Sequence, residues 1–292
     1  MNIFKALFGG RSGKTEEKKE ENNEERDFDV LKYDGVRALK QHQSEYAVQC
    51  FVHALKLNDA DLECRDYLSQ AYIAIGDLPN AYEQLRQMSD TCPDNVAVLL
   101  RMSEVAYMME SYTVMADAAE KALLLDGENV QTYYMYAKAC RGQGDFVNAA
   151  AMLTKAIMLR DDFDAARLLR GEVLLENGEL DEAAADAAEL CLRVDESEDV
   201  LLLKARVLEA QGKHGEAEEV YGRVIDVDPF CVEAFTGRSI VRRTLGNNAG
   251  AAEDDAVAKE MMANVPKSCE GIEYKLKEKM RQIDAYQVFG ND

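Results

Sequence analysis

The sequence predicts an all-α protein built from consecutive helical hairpins. Three observations lead to this fold class: the chain matches itself at a spacing of 34 residues, small residues recur at two fixed positions of each repeat, and apolar residues follow the spacing of an α-helix. No repeat shows the two-residue alternation of a β-strand. Seven repeats follow one another without insertion or deletion, and they begin at Phe28, Leu62, Val96, Val130, Asp164, Glu198 and Val232.

Two positions that lie twelve residues apart are small in almost every repeat. The eighth residues are Gly35, Ser69, Ser103, Ala137, Gly171, Ala205 and Ser239, and the twentieth are Ala47, Ala81, Met115, Ala149, Ala183, Ala217 and Ala251. Small side chains at these two positions allow the backbones of two antiparallel helices to approach closely at one crossing. Each repeat is therefore predicted to be one helical hairpin.

The fifteenth residue of five repeats is a glycine, which predicts a tight turn between the two helices. These glycines are Gly76, Gly144, Gly178, Gly212 and Gly246, and the exceptions are His42 and Glu110. Glycine adopts the positive φ that ends a first helix and begins a short turn. We expect a first helix near residues 1 to 14 of each repeat and a second near residues 18 to 31.

This pattern resembles the tetratricopeptide repeat (TPR) family, from Phe28 to about Pro266. The fourth repeat carries the resemblance most plainly, with the matching residues Ala137, Gly144, Asp145, Phe146, Ala149, Leu153 and Ala156. The resemblance implies a right-handed superhelical solenoid of stacked hairpins. Three departures are local: the first repeat lacks the turn glycine, Met115 replaces an alanine, and Asp255 stands where an apolar residue is usual.

The seven repeats, 28–61, 62–95, 96–129, 130–163, 164–197, 198–231 and 232–265, are preceded by two segments of different character. Residues 11–27 contain no aliphatic or aromatic side chain, so we expect a charged disordered linker or a frayed helix. Residues 1–10 are short and amphipathic. Their apolar side chains leave three alternatives open: a weak membrane contact through Met1 to Phe8, a docking peptide, or no role.

Residues 266–292 are predicted to form a capping helix and a tail. Ile272, Leu276, Met280 and Ile283 fall on one helical stripe of the segment Ser268 to Tyr286. Stacked repeats leave an apolar face uncovered at the end of the array, and a terminal helix with a polar outer side covers it. The alternative is an amphipathic helix that binds a partner.

Composition excludes several classes of protein. Of the 292 residues, 47% are hydrophobic, and 34 Lys and Arg stand against 55 Asp and Glu, which gives a formal net charge of -21. Such an acidic chain is not expected to bind nucleic acid, and no apolar stretch has the length of a membrane span. Seven cysteines without a CxxC pair and no signal-peptide pattern predict reduced thiols in a cytoplasmic protein.

The sequence contains no pattern typical of an enzyme, a metal site or a cofactor site. It has three histidines, scattered along the chain, and lacks phosphate-loop, dinucleotide-binding, zinc-helix and nucleophile-elbow strings. The acid pairs Asp181 and Glu182, and Glu253 and Asp254, are interpreted as parts of hydrated helix surfaces. We therefore expect no catalytic activity, no metal and no cofactor.

The resemblance also implies which residues form a binding groove, because first helices line the concave side of TPR arrays through their second, fifth, ninth, twelfth and thirteenth residues. The candidates in the third to sixth repeats are Leu100, Tyr107, Met108, Tyr134, Lys138, Arg141, Leu168, Leu175, Leu202 and Arg206. Tyr107, Tyr134 and Arg141 are the strongest, since their stems cover apolar surface while their polar ends stay wet. The leucines serve equally well as packing residues.

We expect an adaptor that binds a peptide or helix of a partner protein in this groove. The acidic composition predicts a partner with basic residues and an affinity that weakens with salt. The alternative is a structural scaffold that assembles through its ends or convex face, recruited to a membrane by the N-terminal segment. The Lys and Asn clamp by which some TPR proteins hold chaperone carboxylates is not matched, because Val36 and Tyr67 stand at the expected Asn positions.

Overall fold

The computed structural model describes residues 12–194 and 197–264, and every regular element in these ranges is an α-helix. The helices are α1 Ser12–Lys40, α2 Ser44–Leu57, α3 Leu62–Ala74, α4 Leu78–Thr91, α5 Val96–Met108, α6 Tyr112–Leu125, α7 Val130–Gly142, α8 Phe146–Leu159, α9 Asp164–Asn177, α10 Leu180–Arg193, α11 Glu198–Ala210, α12 His214–Val227, α13 Val232–Thr244 and α14 Asn248–Asn264. The all-α fold class predicted from the sequence is confirmed. The short N-terminal segment 1–10 and the capping helix 266–292 lie outside the described residues.

The chain divides into two compact units, Met1–Met109 and Glu110–Asp292. In the first unit α1 to α5 pack in chain order, and in the second unit α6 to α14 do the same. Short turns join successive helices, so neighbours are antiparallel and alternate helices run in the same direction. Each unit is thus a stack of helical hairpins.

Helices α3, α4, α5, α7 and α8 each begin where a polar side chain replaces a missing backbone partner of the first turn. The Oδ1 atom of Asn95 accepts a hydrogen bond from the Val98 amide at 3.2 Å, and that of Asn129 accepts one from Thr132 at 3.1 Å. Asp145 caps α8 in the same way through the Asn148 amide at 3.2 Å. These are N-caps, which satisfy otherwise unpaired amides and set the helix starts.

The small positions of the repeats are closely packed. All seven twentieth residues are buried, and Met115, the one large member, is also fully buried. A Cβ atom on Gly35 would lie 2.6 Å from the ring of Phe51 in the same hairpin, and one on Gly171 would lie 2.6 Å from a methyl group of Leu203 on the first helix of the next repeat. The helices have approached until no space for a larger side chain is left.

Residues 12–27, for which the sequence predicts a charged linker or a frayed helix, lie in the first part of helix α1. Helix α1 begins at Ser12 and runs without a break to Lys40. Phe28 is buried against the first hairpin, whereas the preceding side chains from Asn23 to Asp27 are exposed. A long polar helix therefore leads into the first packed turn.

Two buried ion pairs join the helices of the fifth and seventh repeats. Arg170 donates to both carboxylate oxygens of Asp186 at 2.8 and 2.6 Å, and Arg238 donates to both oxygens of Asp254 at 3.0 and 2.7 Å. Both aspartates are buried. The interpretation of Asp254 as part of a hydrated surface is therefore wrong, because Arg238 supplies a bidentate partner that no sequence neighbour reveals.

The turns between paired helices use the same left-handed backbone with and without glycine. The five predicted turn glycines have φ between 76° and 85°, while His42 and Glu110 adopt φ of 58° and 56° at the same repeat position. A side chain in this conformation crowds its own backbone at a cost of roughly 1–2 kcal/mol. The left-handed turn is therefore formed at this repeat position with or without glycine.

We predict that His42→Gly raises the free energy of unfolding by about 0.5–1 kcal/mol. The relief of this crowding stabilises the folded state by more than the added entropy stabilises the unfolded chain. The matched variant is Gly144→Ala, where no atom lies within 4 Å of the new Cβ but φ is 77°. It should lower stability by about 1 kcal/mol. Urea unfolding of the full chain measures both. A loss of stability in His42→Gly would contradict the prediction.

Candidate functional site

The predicted groove residues lie on four first helices, divided between the two units. Leu100, Tyr107 and Met108 lie on α5 in the first unit. The others lie on α7, α9 and α11 in the second unit, and we call them the first-helix surface: Tyr134, Lys138, Arg141, Leu168, Leu175, Leu202 and Arg206. Each group is described within its own unit.

Helix α5 is tied to the preceding hairpin by an arginine that sequence inspection did not single out. Arg101 donates to the Ser69 hydroxyl at 2.8 Å and also binds Asp66. Burial lowers the pKa of this guanidinium. Leu100, Tyr107 and Met108 beside it are half-buried, so each leaves part of its side chain on the surface.

Tyr134 is mainly a packing residue. Only 9% of it is exposed, and its ring lies 5.1 Å from that of Phe163, centroid to centroid. The ammonium group of Lys138 lies 5.6 Å from the centroid of the Tyr134 ring, within the range of a cation–π contact. Tyr134 therefore supports Lys138 more than it faces solvent.

Arg141 is held by two carboxylates of the next repeat. Its Nη1 atom lies 2.7 Å from Glu172 Oε2 and its Nη2 atom lies 2.6 Å from Glu176 Oε1. Arg206 lies one repeat further on, attracts Glu172 and approaches Glu233 with 3.5 Å between Nε and Oε1. Arg141, Glu172, Arg206 and Glu233 form what we call the charge ladder, with alternating charges on α7, α9, α11 and α13.

The surroundings of Glu172 and Arg141 shift the pKa of both groups upward. Burial raises the pKa of Glu172 above its ordinary value, and the attraction of Arg141 does not fully offset this effect. Burial lowers the pKa of Arg141, but its hydrogen bonds to Glu176 and Glu172 raise it more, so the net shift is upward. Arg141 is therefore a fixed cation within a network and not a free anchor.

Half-buried leucines lie on the same helices as the ladder. Leu168 and Leu175 pack against the buried cluster that contains Leu174 and Leu190. Leu202 packs against the cluster that contains Tyr221. Because the remainder of each side chain is solvent-exposed, the first-helix surface combines apolar contact area with fixed charges.

Sequence reasoning missed the acidic half of this site. Glu172, Glu176 and Glu233 occupy groove positions of their repeats, yet the groove candidates predicted from the sequence include the cations Lys138, Arg141 and Arg206 and no acidic side chain. The available signal was the opposite sign of charge at neighbouring groove positions of consecutive repeats. A similar contact was also missed in the sixth repeat, where the Tyr221 hydroxyl donates to Glu209 at 2.6 Å and has a raised pKa because of its burial.

Within the described ranges, no helix is long and apolar enough to cross a membrane. In the same part of the chain, no cluster of three or more His, Cys, Asp or Glu side chains has the arrangement of a metal site. The six cysteines placed there are free thiols, of which Cys50, Cys64, Cys140 and Cys231 are buried.

We predict that Glu172→Gln changes the pH dependence of stability in a defined direction. Because the folded-state pKa of Glu172 is raised, its contribution to the free energy of unfolding is greatest below the ordinary carboxyl pKa. That contribution decreases as the pH rises through the ordinary value towards the folded-state pKa. The free energy of unfolding of the wild type minus that of Glu172→Gln should therefore fall over this window.

Glu83→Gln is the comparison variant, because the contribution of Glu83 to stability should depend on pH in the opposite direction. Hydrogen bonds from Arg86 lower the pKa of Glu83 to about 2, so its contribution is lost as the pH falls from 4.5 to that value. Denaturant unfolding of the two variants and the wild type at several pH values measures both differences. The same slope for both residues would contradict the assignment of a desolvated carboxylate at Glu172.

Two parts of the chain match models of a known repeat family. Two family models, each described as a tetratricopeptide repeat, match residues 141–190 and 202–266. DnaJ homolog subfamily C member 3 from Homo sapiens is 32% identical over 128 residues, which cover 44% of this chain and 19% of that protein. The Mus musculus protein matches equally. The chain thus spans about a fifth of the length of these curated relatives.

Solved structures agree on the fold. A tetratricopeptide repeat protein from Parabacteroides merdae has a TM-score of 0.70 at 15% identity, over 87% of this chain and 99% of that one. YrrB, a TPR protein with an unusual peptide-binding site, has a TM-score of 0.50 at 15% identity, over 67% of this chain and 97% of that one. The matching family models show that the chain contains tetratricopeptide repeats, and the likenesses to solved structures show that its fold is an all-α helical repeat solenoid.

Proposed function

We propose that this protein is an adaptor whose first-helix surface binds a peptide or helix of a partner protein. The TPR fold supports protein-protein interaction in general. The observation that carries the finer proposal is the combination of half-exposed leucines with a charge ladder on consecutive first helices. YrrB, whose fold is similar, is described as having a peptide-binding site.

The charge ladder favours binding because it orders long side chains before a partner arrives. Free Arg and Glu side chains lose about 0.5–1.5 kcal/mol each when an interface immobilises them. Arg141 already makes three hydrogen bonds to Glu172 and Glu176. The side chains of Arg141 and the two glutamates are therefore held in place before a partner binds. Leu168 and Leu175, on the same helix as the glutamates, supply apolar contact area.

The charges of this surface favour a partner with basic residues. Arg141 is paired with Glu172 and Glu176, whereas Asp199 on α11 is exposed and Glu233 on α13 keeps more than half of its side chain exposed beside Arg206. The whole chain carries a net charge of -21, so long-range attraction also selects cationic segments. The proposed ligand is an extended or helical segment with apolar side chains and flanking Lys or Arg.

We predict that the double variant Leu168→Ala, Leu202→Ala weakens partner binding about tenfold or more, since each truncated leucine removes about 1 kcal/mol of interface contact. A partner captured by the full chain is identified, purified and titrated calorimetrically against wild type and variant. The matched control is Leu124→Ala, Leu192→Ala, which makes the same two changes on second helices of the same unit.

Thermal melts show whether both double variants remain folded. Loss of affinity only in the first variant supports binding at the first-helix surface. Loss only in the control would contradict it and would support the alternative scaffold, in which the outer faces of the second helices make the contacts. Equal affinity for all three proteins would also contradict the proposal.

The charge argument makes a separate prediction: the dissociation constant should rise as NaCl is increased from 50 to 500 mM. Screening shortens the Debye length to about 10 Å at 0.1 M and to about 3 Å at 1 M, which weakens attraction between exposed charges. Association rates measured by stopped flow should carry most of the change. An affinity independent of salt would exclude a basic partner and indicate purely apolar contacts.

A further inference from the structure

Three large apolar side chains are almost fully exposed at one repeat position. Leu124 is 82% exposed, Met158 76% and Leu192 84%, and each is the twenty-ninth residue of its repeat, in the last turn of α6, α8 or α10. We call these three residues the outer-edge row. The other four repeats carry a charged residue at this position: Lys56, Asp90, Asp226 and Glu260. An exposed position does not by itself explain why these three repeats carry an apolar residue there.

The row lies along one edge of the second unit. Because α6, α8, α10, α12 and α14 run in the same direction, their last turns lie at the same edge. Arg193 in the last turn of α10 donates to Asp161 in the turn after α8, at 3.0 Å to the carbonyl and 2.7 Å to Oδ2. Phe230, in the turn after α12, and Met262 on α14 continue the edge, 77% and 56% exposed.

The last described helix exposes two polar residues, Asp255 and Lys259, near its middle. The twenty-fourth residue is buried and apolar in six repeats, as in Leu153 and Tyr221, but it is the exposed Asp255 in the seventh. Asp255 accepts a hydrogen bond from Arg243 at 2.5 Å. Lys259, one helical turn further on, is also exposed. The predicted capping helix would therefore find little apolar surface to cover at these positions.

The sequence beyond α14 combines apolar residues with cations, which suits a surface that is apolar and flanked by acidic side chains. Its apolar residues Ile272, Leu276, Met280 and Ile283 recur at helical spacing, and the cations Lys275, Lys277, Lys279 and Arg281 lie among them. The turns along the edge are acidic, and their exposed carboxylates are Asp126, Glu128, Asp161, Asp162 and Asp226. The apolar stripe of the segment thus matches the apolar side chains of the row, and its cations match the neighbouring carboxylates.

We propose that the segment Ser268 to Tyr286 docks as an amphipathic helix on the outer-edge row of its own chain. The chain leaves α14 at Asn264, at the edge where the row lies. Residues 265–271 span up to about 23 Å when extended. With packed helices 8–10 Å apart, α10 lies on the order of 20 Å from α14, within this reach. The stripe from Ile272 to Ile283 then extends about 16 Å along the row.

A segment of the same chain is favoured over a second copy. Two copies of a chain with a net charge of -21 repel each other, and the acidic turns beside the row would meet. The tethered segment, by contrast, brings its own cations at an effective concentration in the millimolar range. The docked segment covers Leu192 and Met158 and leaves the first-helix surface accessible, so this proposal does not depend on the proposed function.

The test uses tryptophan fluorescence of the full chain, which has no natural tryptophan. Met280→Trp places one indole on the apolar stripe. We expect its emission maximum to lie at a shorter wavelength than that of an indole in water. Adding Leu192→Glu should abolish this shift and make tryptic cleavage after Lys279 about tenfold faster, since tenfold corresponds to 1.4 kcal/mol of lost docking. The matched control is Leu245→Glu, a half-exposed leucine at the opposite edge of the same unit.

Circular dichroism melts verify that the array is folded in each protein. Emission and cleavage that respond to Leu192→Glu and not to Leu245→Glu support docking on the row. A solvated indole in Met280→Trp alone would overturn the proposal, as would an unchanged emission after Leu192→Glu. An equal response to Leu245→Glu would indicate a cap on the last hairpin instead. A shift that appears only at high protein concentration would assign the row to a second copy.

Discussion

Close approach of paired helices at small residues is the constraint on which the structure depends. The twentieth residue of every repeat is buried, Gly35 lies under Phe51 of its own hairpin, and Gly171 lies under Leu203 of the next repeat, with no room for a Cβ at either glycine. These contacts limit the distance between the two helices of the first hairpin and between the consecutive first helices α9 and α11. The turn after a first helix keeps its left-handed conformation even where His42 or Glu110 replaces glycine. The regular position of each first helix follows from these contacts.

Regular stacking converts single side chains into extended surfaces. Arg141 reaches Glu172 and Glu176 because consecutive first helices lie side by side within the second unit. The same regularity places Leu124, Met158 and Leu192 in one row, because each lies in the last turn of a second helix. One surface combines fixed charges with half-buried leucines, and the other is apolar with acidic turns. The second unit therefore carries two surfaces of different chemistry.

The candidate site was only partly predictable. Sequence position placed Lys138, Leu168, Leu202 and Arg206 on first helices, and all four are half-exposed. The same reasoning favoured Tyr134 and Arg141 as anchors, but Phe163 covers the first and two glutamates bind the second. These partners come from the next repeat or the turn before it. The sequence pattern identifies the face of a helix, whereas the state of each side chain depends on its neighbours in space.

The sequence by itself determined the helical hairpins, their 34-residue period and the small residues at which they cross, because these properties depend on local spacing along the chain. Only the tertiary structure decided which charges are paired. Asp186 and Asp254 are buried because Arg170 and Arg238, sixteen residues earlier, lie on the facing helix with both donors aligned. It also decided that the apolar twenty-ninth residues remain uncovered by the described helices. Pairing and exposure are properties of contacts between helices, which no single repeat contains.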